Sequence, residues 1–424
     1  MSYKIPMGPY HPALEEPYKL DLICEGETVC DSKLRIGFNF RGIEHLAETR
    51  NYIQVVALME RVCGICSNIH TLTLCQAMEG LTGLTPPPRA KYIRVIMAEL
   101  ERLHSHVLWA GIAAKLMGFK TMFMTCFEIR EKVMDVLCAI SGNRVNYAMN
   151  RIGGVNRDIS DPQAILKMVE ALELEMAHTV IPIFTTSRTA ISRCANIGVL
   201  TTEKAVSCGV VGPTARASGL PQDLRRAAPY AAYAEMEFDV PVQPAGDVTA
   251  RLLVRALEIM ESCKILRQAL AKLPPGEIHT PDDKFPFITG TATSRVEAPR
   301  GEVMYSVSWR EGSRTPSRVH VRTPTFANMP AIHWMVMGCL LYTSNVFIDS
   351  RTLAGPLNLH IPVDVFVPGC PPRPDAIILG VAKAAAILAA RGNKPAGVAS
   401  EPEVVGECAG NCTCCESNAK EVQA

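Results

Sequence analysis

Three consecutive prolines, Pro86 to Pro88, open the stretch "PRAKYIRVIMAELERLHSHVLWAGIAAKLMG". The prolines break the preceding segment, and a proline in the first turn of a new helix removes only an amide that would lack a partner anyway. Within the stretch Ile93, Met97, Leu100, His104, Val107 and Leu108 recur at three- and four-residue steps, the stripe of a long helix that buries one face. A stripe of that length needs partner helices. Helical periods around 122–140, across 162–182 and in "GDVTARLLVRALEIMESCKILRQALAKL" supply them, which points to a helical bundle. The 162–182 stretch opens at "DISDPQ", where Ser160 or Asp161 is placed to cap and Pro162 falls in the first turn.

The remaining segments read differently. Up to about residue 45, "YKLDLICEGETVCDSKLRIGFNFRGIE" alternates apolar and polar residues around Gly26 and Gly37, as in a small sheet. Residues 208–245 are punctuated by Gly and Pro and read as loops, while "GEVMYSVSW" and "RVHVRTPTF" read as a hairpin pair. The expected fold is mainly α, a helical bundle with a small N-terminal β-sheet, followed by an α/β fragment and a disordered tail.

Charge and hydropathy narrow the function. With 43 basic and 42 acidic residues the formal net charge is +1, so no broad field attracts nucleic acid or an anionic membrane. The N-terminus lacks the apolar core of a secretory signal, and no run of about eighteen uncharged apolar residues could span a bilayer, so a soluble chain on the cytoplasmic side is expected. The 16 cysteines are scattered, which suits buried, reduced thiols with a minority binding metal.

"RVCGICSNIH" holds the one C-x-x-C of the helical region, Cys63 and Cys66, with His70 four residues later. Two thiolates so spaced can share a soft or borderline metal, exchange electrons as a dithiol, or simply pack. A zinc site would need a second pair at regular spacing, and a thioredoxin-like site would need a βαβ setting; neither accompanies it. Local spacing leaves the choice open.

Six motifs narrow it. "IPMGPYHPALEEP", "FNFRGIEHLAE", "MERVCGICSNIHTL", "ELERLHSH", "VEAPRGEVMYSV" and "VRTPTFANM" occur in this order over residues 3–339. Together they resemble the large subunit of nickel–iron hydrogenases, above all the membrane-bound, energy-converting group related to a core subunit of respiratory complex I. The complex I relatives have lost the cysteine pair, so its presence favours a hydrogenase over a quinone reductase. The resemblance implies reversible heterolytic cleavage of H2 at a nickel–iron centre, with electrons passed to iron–sulfur clusters. It also implies a small iron–sulfur subunit and membrane-arm subunits as partners, which would hold the chain on the cytoplasmic face of the cell membrane. The alternative is a large subunit of the NADH–quinone oxidoreductase type, without nickel–iron chemistry.

By that resemblance Cys63 is a terminal nickel ligand and Cys66 bridges nickel and iron, as the first of two such pairs. His70 would donate a hydrogen bond toward ligand sulfur. Arg300, in "EAPRG", would hold a guanidinium over the open coordination site. Glu15, in "HPALEE", would relay protons, with Glu16 as its rival. Glu44, in "FRGIE", would bind a structural magnesium, unless it is a helix N-terminal carboxylate. His11 stands where the complex I relatives approach quinone and is given no role.

After residue 339 the resemblance changes. The expected D-P-C-x-x-C pair does not arrive, and "HIPVDVFVPGCPPRPDAI" instead resembles the small iron–sulfur subunit of the same enzyme group, with Cys370 at the last ligand of a 4Fe–4S cluster. Such a cluster takes four cysteines, and the other three have no counterpart here. At the junction, "CLLYTS" is what a transposon end used in sequencing libraries encodes, which favours an assembly chimaera over a natural fusion, and a further alternative is an inactive chimaeric chain lacking the second cysteine pair. The expected division is 1–339, large-subunit-like; 340–395, small-subunit fragment; and 396–424, a tail whose Cys408, Cys412, Cys414 and Cys415 are expected to bind no metal.

Overall fold

In the computed structural model a helix does start at Pro88, and it is the longest one described, running to Leu116. The structure describes residues 2–11, 14, 16–281, 289–339, 365–366, 374–391 and 403–404. They fall into two units, residues 40–335 and residues 1–39 with 336–424. No described helix is long and apolar enough to cross a membrane.

The smaller unit begins with the expected sheet. Strands β1 (Ser2–Met7), β2 (Lys19–Glu25) and β3 (Thr28–Arg35) are antiparallel in the order β1-β2-β3. Leu20, Leu22, Cys24 and Val29 are buried in it, and buried Asp21 is paired with Lys4 at 3.0 Å.

The larger unit starts with α1 (Ile43–Glu48), α2 (Tyr52–Met59) and α3 (Ser67–Thr82), followed by α4 (Pro88–Leu116) and α5 (Lys120–Ser141). A two-residue hairpin, β4 (Asn150–Arg151) and β5 (Gly154–Val155), leads to α6 (Pro162–Thr179). Asp161, not Ser160, caps α6, accepting from the Ala164 amide at 2.9 Å. Five short helices then follow: α7 (Ile181–Thr185), α8 (Arg188–Cys194), α9 (Thr202–Ser207), α10 (Pro213–Arg216) and α11 (Leu224–Ala227). The last two lie inside the segment that reads as loops in the sequence. Helix α12 (Val248–Ala271) packs against α4 and α6, and α5 packs along α4, so these four bury the main apolar core.

A second sheet packs on α3. Strands β6 (Gly290–Ala298), β7 (Gly301–Trp309) and β8 (Arg318–Arg322) are antiparallel in that order. The hairpin expected from "GEVMYSVSW" and "RVHVRTPTF" is β7 with β8; β6 is an addition, since its small residues carry little apolar alternation. Val296, Val303, Tyr305 and Val307 meet Ile69 and Leu72 of α3 in one core cluster. Short helices α13 (Pro324–Asn328) and α14 (Ala331–Val336) follow. In the smaller unit, β9 (Val365–Phe366) pairs in parallel with β10 (Glu403–Val404), and α15 spans Pro374–Arg391.

The single stripe on α4 is too narrow a reading. Every residue from 92 to 107 is buried, including Arg94, Glu99, Glu101, Arg102, His104 and His106, because α4 is covered on all sides and its charges have partners. Arg94 shows how. Its guanidinium donates to both Glu79 oxygens at 2.9 and 2.6 Å and to the Arg151 and Gly154 carbonyls, joining α3, α4 and the β4–β5 hairpin. Glu79→Leu strands that guanidinium and is expected to lower stability by about 3–5 kcal/mol in urea unfolding, whereas Glu79→Leu with Arg94→Met recovers most of the loss. Equal losses in the single and double variants would show that the pair carries no mutual dependence.

Candidate functional site

Cys63 and Cys66 sit where a 3-10 turn, Glu60–Val62, gives way to α3. The turn is held from outside. Arg41 donates to the carbonyls of Arg61 and Val62, both at 2.8 Å, fixing the chain just before Cys63. Cys66 occupies the N-cap position of α3, yet its side chain makes no capping hydrogen bond. Glu101 of α4 supplies the cap instead, accepting from the amides of Asn68 at 2.7 Å and Ile69 at 3.0 Å. Burial pushes the Glu101 carboxyl well above its usual range, against those two amides.

Arg300 reaches the pair from the β6–β7 turn. Its Nη2 donates to Cys63 Sγ at 2.9 Å and to Cys66 Sγ at 3.4 Å. The hydrogen bond from Cys66, with Arg300 beside it, holds the Cys63 thiol down to about 5, whereas the same bond and burial push Cys66 up. Of the two sulfurs Cys63 is therefore the one favoured as a thiolate, facing a fixed cation.

The Arg300 turn is itself pinned. Arg102 donates to the Glu297 carbonyl at 2.6 Å and the Ala298 carbonyl at 3.2 Å. Arg216 and the Leu224 amide take the Glu297 carboxylate at 2.9 and 3.3 Å. Gly212, at φ +68°, lies against Gly301, at φ +127°: a Cβ on Gly212 would fall 2.3 Å from the Gly301 Cα. Only glycine fits at either position.

Behind these groups lies a buried ionic network. Glu99 accepts from Arg225 at 3.1 Å, Tyr233 at 2.6 Å and Ser262 at 2.7 Å. Arg216 is 2.7 Å from Glu258, which is 2.8 Å from His106. Two further histidines are neutral. Burial and Arg300 hold His70 at about 3, with Nδ1 at 2.9 Å from the Tyr305 hydroxyl. Burial, with Arg130 and Arg300, does the same for His104, whose Nε2 is 2.5 Å from Arg130 and whose buried Nδ1 has no protein partner.

Of the residues singled out in sequence, Cys63, Cys66, His70 and Arg300 thus gather in the larger unit, His70 being joined to Tyr305. Glu44 lies apart, with Arg318 at 3.0 Å, the Val321 amide at 2.8 Å and His320 at 3.2 Å. Glu16 accepts from Asn39 at 2.5 Å. Glu15 and Cys370, and the tail cysteines Cys408, Cys412, Cys414 and Cys415, lie outside the described residues. Among the described residues, no three His, Cys, Asp or Glu side chains gather so as to hold a metal ion. Sequence reasoning missed the bracing roles of Arg41, Glu101 and Arg102; for the last two the available signal is the cluster of charges in "ELERLHSH" on a helix rich in apolar residues, and for Arg41 there is none.

The family model of the respiratory-chain NADH dehydrogenase 49 kDa subunit matches residues 117–289 and 283–353, and that of nickel-dependent hydrogenase matches residues 41–110. The second match spans Arg41, the cysteine pair, His70, Glu101 and Arg102. The chain is 37% identical over 351 residues to the carbon monoxide-induced hydrogenase of Rhodospirillum rubrum, covering 82% of this chain and 97% of that protein. It is 40% identical over 343 residues to the membrane-bound hydrogenase subunit alpha of Pyrococcus furiosus, covering 77% and 80%. It is 35% identical over 368 residues to an NADH-quinone oxidoreductase chain of Koribacter versatilis, covering 79% and 90%. A chain in the structure of the membrane-bound sulfane sulfur reductase, an archaeal respiratory membrane complex, superposes with a TM-score of 0.76 at 28% identity, covering 83% of this chain and 96% of that one.

A thiolate held at about 5 stays ionised as pH falls and is lost only on passing through that value. Alkylation of Cys63 by iodoacetamide, resolved by peptide mass spectrometry, is expected to keep its rate from about pH 8 down to about pH 6. In Arg300→Met the rate is expected to fall over that interval.

Proposed function

The chain belongs to the family that unites membrane-bound nickel-dependent hydrogenases with the 49 kDa subunit of respiratory NADH dehydrogenase, and on that premise we propose that its body is a hydrogenase-type large subunit acting on H2 and protons. One observation supports this reading above others: the part matched by the nickel-dependent hydrogenase model carries two cysteines under one guanidinium. Two soft sulfur donors fit one half of a nickel–iron centre. When bound, such a centre supplies a redox-active metal on which H2 can be split heterolytically.

The chain's own residues have distinct tasks in this reading. Cys63 and Cys66 would be the thiolate ligands, with Cys66, pushed up by burial and by Cys63, the one that has to lose a proton on binding. Arg300 stays protonated throughout and orients and polarises whatever lies beside the sulfurs. His70, neutral and joined to Tyr305, keeps one side of the site dry and fixed. Glu15 is the proposed carrier of protons from the sulfurs. Electrons would leave to an iron–sulfur partner subunit on a membrane-arm assembly, at the cytoplasmic face.

The other expected ions fare differently. Glu44 is surrounded by Arg318, His320 and an amide, which are cationic or hydrogen-bond donors rather than oxygen ligands, so its surroundings do not fit magnesium. Cys370 offers one of the four sulfurs a 4Fe–4S cluster takes, and no such step is drawn through it.

We further propose that residues 1–339 form the large-subunit part and that the sequence from 340 onward replaces the segment that would carry the second cysteine pair. Metal analysis tests both points. The chain as written is expected to hold no stoichiometric nickel and iron after expression with hydrogenase maturation factors. Replacing residues 340–424 by the D-P-C-x-x-C segment of a hydrogenase relative is expected to restore both metals, and Cys63→Ser to abolish them. Stoichiometric metal in the unaltered chain would overturn the half-site, and a grafted chain without nickel would favour the quinone-reductase type.

A further inference from the structure

Glu101 and Arg102 are neighbours on α4, both fully buried, and both hydrogen-bond backbone atoms beside the site rather than a cysteine sulfur or the Arg300 guanidinium. Successive residues on a helix point about 100° apart, so adjacent side chains address different neighbours. Here the two neighbours are the two halves of the site. Glu101 grips the first turn of α3, whose N-cap is Cys66, and Arg102 grips the two residues that precede Pro299 and Arg300.

We propose that Glu101 and Arg102 act as a pair of positioning residues, so that the short piece of α4 backbone between them sets how far the Arg300 guanidinium stands from the two cysteine sulfurs.

Three observations carry this. First, Cys66 holds the position where Ser, Thr, Asp or Asn would ordinarily cap a helix, but its sulfur is committed to Cys63 and Arg300. The cap has to come from elsewhere, and a carboxylate with two oxygens satisfies two of the free amides at once. Second, Arg102 uses its planar fork on two successive carbonyls, a geometry that fixes direction as well as distance. Third, Arg102 Nε is tied to its own helix by the buried Glu99 carboxylate, three residues earlier, at 3.3 Å, which holds the base of the fork against α4. A loose brace would not need all three.

The inference rests on the function proposed above for its purpose, but its test reads the metal-free chain, and metal content tests the function separately. The measurement is the rate of iodoacetamide alkylation of Cys63 at about pH 7 in the full chain, with buried Cys75 and Cys263 as reporters of an intact core. Arg102→Gln is expected to slow Cys63 by about tenfold, approaching Arg300→Met, because the guanidinium no longer stands against the sulfur, and Glu101→Gln, which also removes a carboxyl that itself acts on the sulfurs, is expected to slow it less. Arg102→Lys, which keeps the charge but not the fork, is expected to lie between, and it replaces Arg102→Gln if that variant fails to fold.

The decisive comparison is in the Arg300→Met background, where Arg102→Gln is expected to change nothing further, since it acts only through Arg300, and Glu101→Gln, whose carboxyl also acts directly on the sulfurs, is expected to cause no further slowing. Unchanged Cys63 rates in the single variants, an additional slowing in the Arg300→Met background, or a general acceleration that includes Cys75 and Cys263 would each overturn the proposal. If Arg300→Met itself left the rate unchanged, the guanidinium–thiolate contact would fail, and the proposal with it, whatever the metal content of the grafted chain.

Discussion

Charge buried along α4 is the constraint that the rest of the larger unit answers. An unpaired carboxylate or guanidinium taken out of water costs several kcal/mol even after the surroundings relax. Glu99, Glu101 and Arg102 are all fully buried, and each is met from a different direction. Arg225, Tyr233 and Ser262 come to Glu99, the α3 amides to Glu101, and Arg102 goes to the end of β6. A turn of α4 about its axis, or a slide by one residue, would strand at least one of them. Apolar packing of equal volume would stabilise the bundle as well or better. What the charges add is register, which this site needs more than stability.

The same economy of means shapes the cysteine loop. Arg41 holds the chain before Cys63, Glu101 the chain after Cys66, and Arg102 the chain before Arg300, each through backbone atoms. The side chains of the two cysteines and of Arg300 are therefore free to face one another. A thiolate and a guanidinium at 2.9 Å stabilise one another where burial excludes most water.

Much of this was legible in sequence where local chemistry decides. The prolines at 86–88 start α4, Asp161 and Pro162 start α6, and alternation in "GEVMYSVSW" marks β7. The convergence of Cys63, Cys66 and Arg300, separated by more than 230 positions, followed from a resemblance of ordered motifs and not from any local pattern. Strand β6 escaped because "GTATSRVEA" opens with small, largely uncovered residues and only its last three are buried, Val296 and Ala298 in the cluster with α3. The buried charges escaped because an apolar stripe records where hydrocarbon goes and is silent about a carboxylate that finds a partner 33 residues away, as Glu101 finds Asn68. The roles expected for Glu15 and Cys370 fall on residues outside those described.

The contact between Gly212 and Gly301 gives the site an unusual kind of tolerance. A side chain pressed from behind can rotate about its χ angles and absorb the displacement; two backbones in contact have no such give. A change of length or conformation in the loop that ends at Gly212 would pass undiminished through Gly301 to its neighbour Arg300. That loop, residues 208–212, makes none of the sulfur–guanidinium contacts, yet it serves as a mechanical end-stop for the turn that aims the cation at the sulfurs.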